Sequence, residues 1–347
     1  MIRPPRRFTF LAVPRQMLSF VLPVCDEQET LAELSRRLGA VIEELDVDAE
    51  IIFVDDGSTD ATFALLVELQ GLDPRVKVVR LTRNFGHQIA ISAGLDLASG
   101  DAAVIMDADL QDPPEVVPEL VARWREGYEI VYAVRSRRTV EPWFRRSIIR
   151  LSYRLIRRVS RIDIPPDAGD FRLVDRKALE AFRALRETNR YVRGMFTWIG
   201  FKQVGVPYVR EARFGGHTKY PYRKLVQLAV DGIVGFSNAP LRAALIVGFV
   251  VSAASFALAV TAIALKLAGV NIPEGWTSLV VVVSFLSGVQ LLLVGMLGLY
   301  VARIYDEVKE RPLYLVREAR GFVPPPQPEL LPDTAAAPPE EHTVSPA

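Results

Sequence analysis

A single cysteine, Cys25, stands in 347 residues, which excludes a disulfide framework and fits a reducing compartment. Histidine is scarce too: three residues, His87, His217 and His342, are scattered along the chain. A Cys/His zinc centre is therefore excluded, and any metal has to be held by oxygen. The formal net charge is +1, so no field of one sign points to nucleic acid. Neither GxGxxG after the first strand nor GxxxxGK[ST] occurs, which removes the common dinucleotide and P-loop readings. A basic N-terminus (Arg3, Arg6, Arg7) precedes FTFLAV, but Pro14 and Arg15 interrupt it and no cleavage site follows. We read no secretory signal there.

Long uncharged runs, by contrast, are present. Residues 243–265 and 275–302 carry no charge, and each exceeds the ~20 residues that cross a hydrocarbon core. A short connector makes them a hairpin (240–303). Arg242 precedes the first run, and Arg303, Lys309 and Arg311 follow the second, against only Lys266 and Glu274 between them. The positive-inside rule places both chain ends in the cytoplasm, with the protein multi-pass in the inner membrane. Residues 304–322 read as a cytoplasmic juxtamembrane segment. From 323 onward the tail should be disordered, since 324–347 hold eight prolines.

The first 240 residues alternate between strand and helix patterns. MLSFVLPV, EIIFVDDG, VKVVRL and DAAVIMDAD read as strands; ETLAELSRRLGAVIEEL, TDATFALLVELQ and HQIAISAGLDLA read as helices. This predicts an α/β fold with a mostly parallel sheet over 17–221, after a basic segment 1–16. Ligands bind such sheets outside the strand carboxyl ends. The clusters CDE, DDGSTD, RNFGH and DADLQD all fall there. In an extended segment, residues i and i+2 share a side, so Asp107, Asp109 and Gln111 are expected to converge on one hard cation, Mg²⁺ or Mn²⁺. Asp112-Pro113-Pro114 reads as a turn, and Cys25 as a small buried hydrophobe. The stretch 143–161 has seven arginines and no acid, with Phe144, Ile148, Leu151, Leu155 and Val159 at helical spacing. It reads as a basic amphipathic helix (141–161) lying in a membrane interface, and 222–239 as a second. Lipid headgroups are preferred to nucleic acid as its partner because the apolar runs follow.

Seven blocks, PVCDE, VDDGSTDAT, LTRNFGHQ, MDADLQDPPE, DAGDFRL, RGMFTWIGF and RFGGHTKYP, resemble in order the glycosyltransferase family 2 enzymes that glycosylate polyprenyl phosphates. Bactoprenol glucosyltransferases are the nearer likeness and dolichyl-phosphate mannose synthases the more distant one. The resemblance implies a GT-A fold, a UDP-sugar donor, a polyprenyl phosphate acceptor and a tetramer. It places Pro23, Glu27, Asp56, Asp107, Arg213 and Lys219 at the nucleotide sugar. Asp107 and Asp109 become metal and diphosphate ligands, with Asp109 counted among the catalytic groups. Asp170 is the first choice for an acceptor-side acid and Asp167 the second. Arg135, Arg138 and Arg146 are candidates for the acceptor phosphate. Cys25 and Asp26 depart from the Tyr and Asn usual in that first block.

The reading is thus a membrane-bound, cytoplasm-facing inverting transferase that moves a hexose, glucose first, from UDP to polyprenyl phosphate. Mannose, N-acetylhexosamine and modified arabinose donors stay open. A processive polysaccharide synthase is disfavoured by the missing QxxRW signature, and a non-catalytic binding module by the retained acidic blocks.

Overall fold

The computed structural model describes residues 15–136, 168–210, 239–268 and 275–322. Four strands build the centre of the sheet: β1 (Met17–Val24), β2 (Asp48–Asp55), β3 (Val76–Leu81) and β4 (Ala102–Ile105). All pair in parallel, in the order β3-β2-β1-β4. Their side chains are almost wholly buried, as expected of strands covered on both faces. Beyond β4 the sheet continues through β6 (Ala168–Asp175), β5 (Ile130–Arg135) and β7 (Gln203–Tyr208). β6 runs antiparallel to both neighbours.

Helices α1 (Leu31–Leu45), α2 (Thr62–Leu72) and α4 (Val117–Arg125) cover one face. Leu34, Leu38, Leu66 and Leu120 pack there on Phe20, Phe53 and Val104. The opposite face carries α3 (His87–Leu97), α5 (Arg176–Ala184) and α6 (Val192–Trp198), where Ile91, Leu179 and Phe196 meet Val21, Val54 and Ile105. α3 lies so close to the sheet that a Cβ on Gly94 would stand 2.3 Å from Val21 Cγ1. Because β2 and β4 flank β1 and their crossovers lie on opposite faces, a crevice opens at the carboxyl ends of β1 and β4.

Two long helices follow, α7 (Ala239–Leu267) and α8 (Trp276–Val308). Val281–Val308 is long and apolar enough to cross a membrane. Along α7, Leu245, Phe249 and Phe256 are all more than 70% exposed. After α8 the chain returns to the sheet: β8 (Val316–Arg320) pairs antiparallel with β3. Thus part of the stretch expected to be a juxtamembrane segment, Val316–Arg320, adds an edge strand to the sheet.

Candidate functional site

The loops after β1 and β2 hold each other. Asp26 adopts φ 55°, a backbone region that Asp tolerates better than most residues. Its Oδ1 accepts from Thr59 N at 2.7 Å and Asp60 N at 3.3 Å. The acid standing in place of the usual Asn therefore closes this turn. Gly57 has φ 75°, and a Cβ there would lie 2.7 Å from Asn84 N; only glycine lets the loops approach this closely. Asp56 accepts from Phe85 N at 2.7 Å and Gly86 N at 2.9 Å. Burial pushes its carboxyl above the usual range despite those two donors. Glu27 N donates to Thr62 Oγ1 at 2.9 Å.

Asp56 thereby positions the RNFGH loop and delivers His87 to the centre of the crevice. His87 Nε2 stands 3.4 Å from Asp107 Oδ1 and 3.4 Å from Asp170 Oδ2. Burial opposes its protonation, but the Asp170 hydrogen bond and the Asp107 charge outweigh that and hold its pKa above the ordinary value. Asp170, on β6, is clamped from the other side by Arg193, whose Nε and Nη2 donate to its two oxygens at 2.8 and 2.9 Å. Gln88 Nε2 adds a contact at 3.3 Å. Burial alone would raise the Asp170 carboxyl; Arg193, His87 and Arg172 hold it well below the usual range. A carboxylate so stabilised is a weak base. Arg172 donates to Gly169 O at 2.8 Å and fixes the backbone there, while burial pushes its guanidinium down to about 10.

Asp107 differs. Its Oδ1 is buried without a hydrogen-bond partner. Burial, helped by Asp112, Asp170 and Asp109 and opposed by His87, pushes its carboxyl up to about 6. The alternation expected to bring Asp107, Asp109 and Gln111 together does not run through this segment. β4 ends at Ile105, residues 108–109 turn, and Leu110 has φ 59°. Asp109 folds back to accept from Gln111 N at 3.0 Å. A turn, not an extended strand, follows Asp107; the Asp109 charge still reaches the Asp107 carboxyl, and Gln111 contributes its backbone N–H to that turn. Among the described residues no three acidic or histidine side chains form a metal-holding group by themselves. Two carboxylates with an unsatisfied oxygen nevertheless suit a hard divalent cation whose remaining ligands come from substrate.

One further expectation is extended and one is corrected. Asp112 does lie in a bend, but it is buried there: it accepts from the Tyr208 hydroxyl and has Arg210 Nε 3.7 Å away. Burial raises both the Asp112 carboxyl and the Tyr208 phenol. Cys25 is exposed rather than buried and receives Asn84 Nδ2 at 3.4 Å, because β1 ends one residue before it. Pro23 lies buried within β1; its nitrogen faces the β4 side beyond the last β4 pairing at Val21, so no ladder bond is lost. Arg135 packs against Gly169 and reaches the Tyr208 hydroxyl at 3.5 Å. Asp167, Arg138, Arg146, Arg213, Lys219 and the two interface helices lie outside the described residues. The sequence reading assigned no role to His87 or Arg193, although both sit in the quoted blocks; the polar cluster RNFGH after the third strand was the available signal for His87.

Acidic and basic groups thus gather at the switch point of the sheet, where folds of this kind bind ligands. The sequence profile of "Glycosyl transferase family 2" matches residues 19–183. The chain is 46% identical to the uncharacterized glycosyltransferase YkcC of Bacillus subtilis, over 88% of this chain and 94% of that one. It is 39% identical to the SfII prophage-derived bactoprenol glucosyl transferase of Shigella flexneri, over 87% and 98%. With the prophage bactoprenol glucosyl transferase homolog of Escherichia coli the identity is 37%, over 87% and 99%. The chain belongs to glycosyltransferase family 2.

Proposed function

We propose that the chain is a membrane-anchored inverting transferase that moves a hexose, glucose in the first instance, from a UDP-sugar to polyprenyl phosphate. An acceptor phosphate oxygen attacks the anomeric carbon from the face opposite UDP. The new carbon–oxygen bond forms as the bond to the diphosphate breaks, and UDP leaves. The observation that carries this reading is the buried Asp107 oxygen that no hydrogen bond satisfies, at the switch point beside the His87–Asp170–Arg193 chain. Asp107 and Asp109 would hold a divalent cation, Mg²⁺ or Mn²⁺, which when bound neutralises charge on the departing diphosphate. Asp56 and Glu27, at the β1 and β2 ends, are placed to meet the nucleotide. Arg135, with Arg138 and Arg146, is assigned to the acceptor phosphate, and Arg213 and Lys219 to the diphosphate.

Asp170 needs no role in proton removal. A phosphate monoester has its second pKa near 6, so the acceptor is largely dianionic at neutral pH and already nucleophilic. That matches the weak basicity of Asp170. Its charge instead orients His87 and Arg193 around the reacting centre. Asp167 is kept as the second acid of that block.

The lipid acceptor is supported by the names of the bactoprenol relatives and by the long apolar helices. We take α7 and α8 as a hairpin that crosses the cytoplasmic membrane with both ends inside. The test is direct: purified protein is incubated with polyprenyl phosphate and a panel of radiolabelled nucleotide sugars. Label from UDP-glucose moving into the organic-extractable lipid, with release of UDP, is the expected result. No lipid-linked label from any donor would overturn the reading.

A further inference from the structure

The chain returns from α8 to the sheet through a contact outside the site described above. Glu307, in the last turn of α8, accepts from Thr188 twice: backbone N to Oε1 at 2.8 Å and hydroxyl to Oε2 at 3.1 Å. Thr188 lies in the segment 185–191 between α5 and α6. That segment runs along α3 toward the crevice and is fastened as it goes. Arg186 pairs with Asp96 at 2.9 Å, and Arg190, buried, donates to Ser92 Oγ at 3.0 Å. Val192 N donates to Gln88 Oε1 at 2.9 Å, and the next residue is Arg193, which clamps Asp170. Four residues, 189–192, therefore lie between Thr188, which holds the foot of the long apolar helix, and the arginine that clamps Asp170.

A second tie runs in parallel. Tyr314 donates to Asp96 at 3.1 Å, Thr82 N donates to Leu315 O at 2.9 Å, and β8 then pairs with β3. The strand enters at the carboxyl end of β3, the end that carries the site. Glu307 also stands beside Glu187, whose carboxyl is raised first by burial and then by the Glu307 charge. Placing an acid next to an acid is unfavourable unless the Thr188 bonds offset it. Both Thr188 bonds are exposed to water, where such contacts add little to global stability. Their effect is geometric.

Resting on the lipid-phosphate acceptor proposed above, we propose that Glu307 is a positioning residue for transfer. Its two hydrogen bonds from Thr188 fix the Arg193 segment relative to the foot of α8, and so set how the site meets an acceptor held in a lipid surface. A soluble acceptor would be indifferent to that setting.

The test uses the full chain in phospholipid vesicles with UDP-glucose and two acceptors: long-chain polyprenyl phosphate in the bilayer, and a short water-soluble prenyl phosphate. Glu307→Ala is expected to raise the long-chain acceptor KM about three- to tenfold. The UDP-glucose KM, the turnover on the short acceptor and the melting temperature should stay as in wild type. Glu307→Gln, whose amide can still accept from Thr188 N and donate to its hydroxyl, should restore the long-chain KM. Unchanged long-chain kinetics in Glu307→Ala would overturn the inference alone. Equal loss on both acceptors with a lower melting temperature would also overturn it, by making the contact merely structural. A wild type inert toward both acceptors would overturn the proposed function and this inference with it.

Discussion

Two carboxylates at opposite ends of the sheet, Glu50 and Asp107, are treated in opposite ways. At the amino end, Glu50 of β2 is 1% exposed and fully engaged. Its oxygens accept from Lys77 Nζ and Ser19 Oγ, and from Ser99 N at 2.6 Å and Ser99 Oγ at 2.9 Å. Burial pushes against its ionisation, yet Lys77, Ser19 and Ser99 outweigh that and lower its pKa. At the carboxyl end, Asp107 keeps a buried oxygen without a hydrogen bond and is pushed up to about 6. The same chemical group is satisfied at Glu50, where it holds strands together, and keeps an oxygen without a hydrogen bond at Asp107, although Asp170 beside it is clamped by Arg193. Folds store such frustration at functional sites and compensate elsewhere.

The largest expected effect breaks the carboxyl end. Asp109→Asn, or chelation of divalent cations, should reduce sugar transfer by roughly a thousandfold or more, measured as label in lipid, with the circular dichroism spectrum unchanged. Activity that resists chelation would remove the metal from the account. Next comes Arg193→Ala, which strands Asp170 without its clamp. Transfer should fall about a hundredfold. Stability should fall by roughly 2–3 kcal/mol, below the figure for a fully buried pair because the guanidinium is about a third exposed. Denaturant unfolding checks the second figure. Arg193→Lys, with its charge kept but its fork lost, should recover stability more than activity.

The amino end responds in stability alone. Glu50→Gln should cost about 1–3 kcal/mol near neutral pH and leave turnover untouched. Because the folded pKa of Glu50 is depressed, its contribution is complete above the ordinary value of 4.5 and drains away as pH falls below it. The wild-type advantage over Glu50→Gln should therefore shrink on acidification. An advantage that grew toward low pH would contradict the Glu50 network.

Much of this was legible in the sequence. Apolar runs with β-branched residues marked β1 and β3 to the residue, 17–24 and 76–81, since a strand buried on both faces has no pattern but hydrophobicity. The acidic clusters at strand ends located the crevice. What escaped depends on contacts distant in sequence. β8 reads VREAR, a polar edge strand with no apolar alternation, and becomes a strand only because β3 offers it an edge. Arg193 and Asp170 lie on different elements, and Asp112 meets Tyr208 from 96 residues away. The extended alternation assumed for Asp107, Asp109 and Gln111 does not hold, because Leu110 turns the chain with a positive φ.

The central claim, that one end is built for stability and the other for a ligand, predicts opposite signs for two matched substitutions. Asp107 has a raised pKa, so its contribution to stability is complete below the ordinary 3.8 and is lost as pH rises through about 6. Removing its charge should therefore help the ligand-free fold near neutral pH. The measurement is the thermal melt of wild type, Glu50→Gln and Asp107→Asn in chelator at about pH 8. The account predicts a midpoint lowered by about 3–8 °C for Glu50→Gln and raised by about 2–5 °C for Asp107→Asn, although the latter transfers no sugar. A lowered midpoint for both would contradict it, since Asp107 would then be one more structural carboxylate.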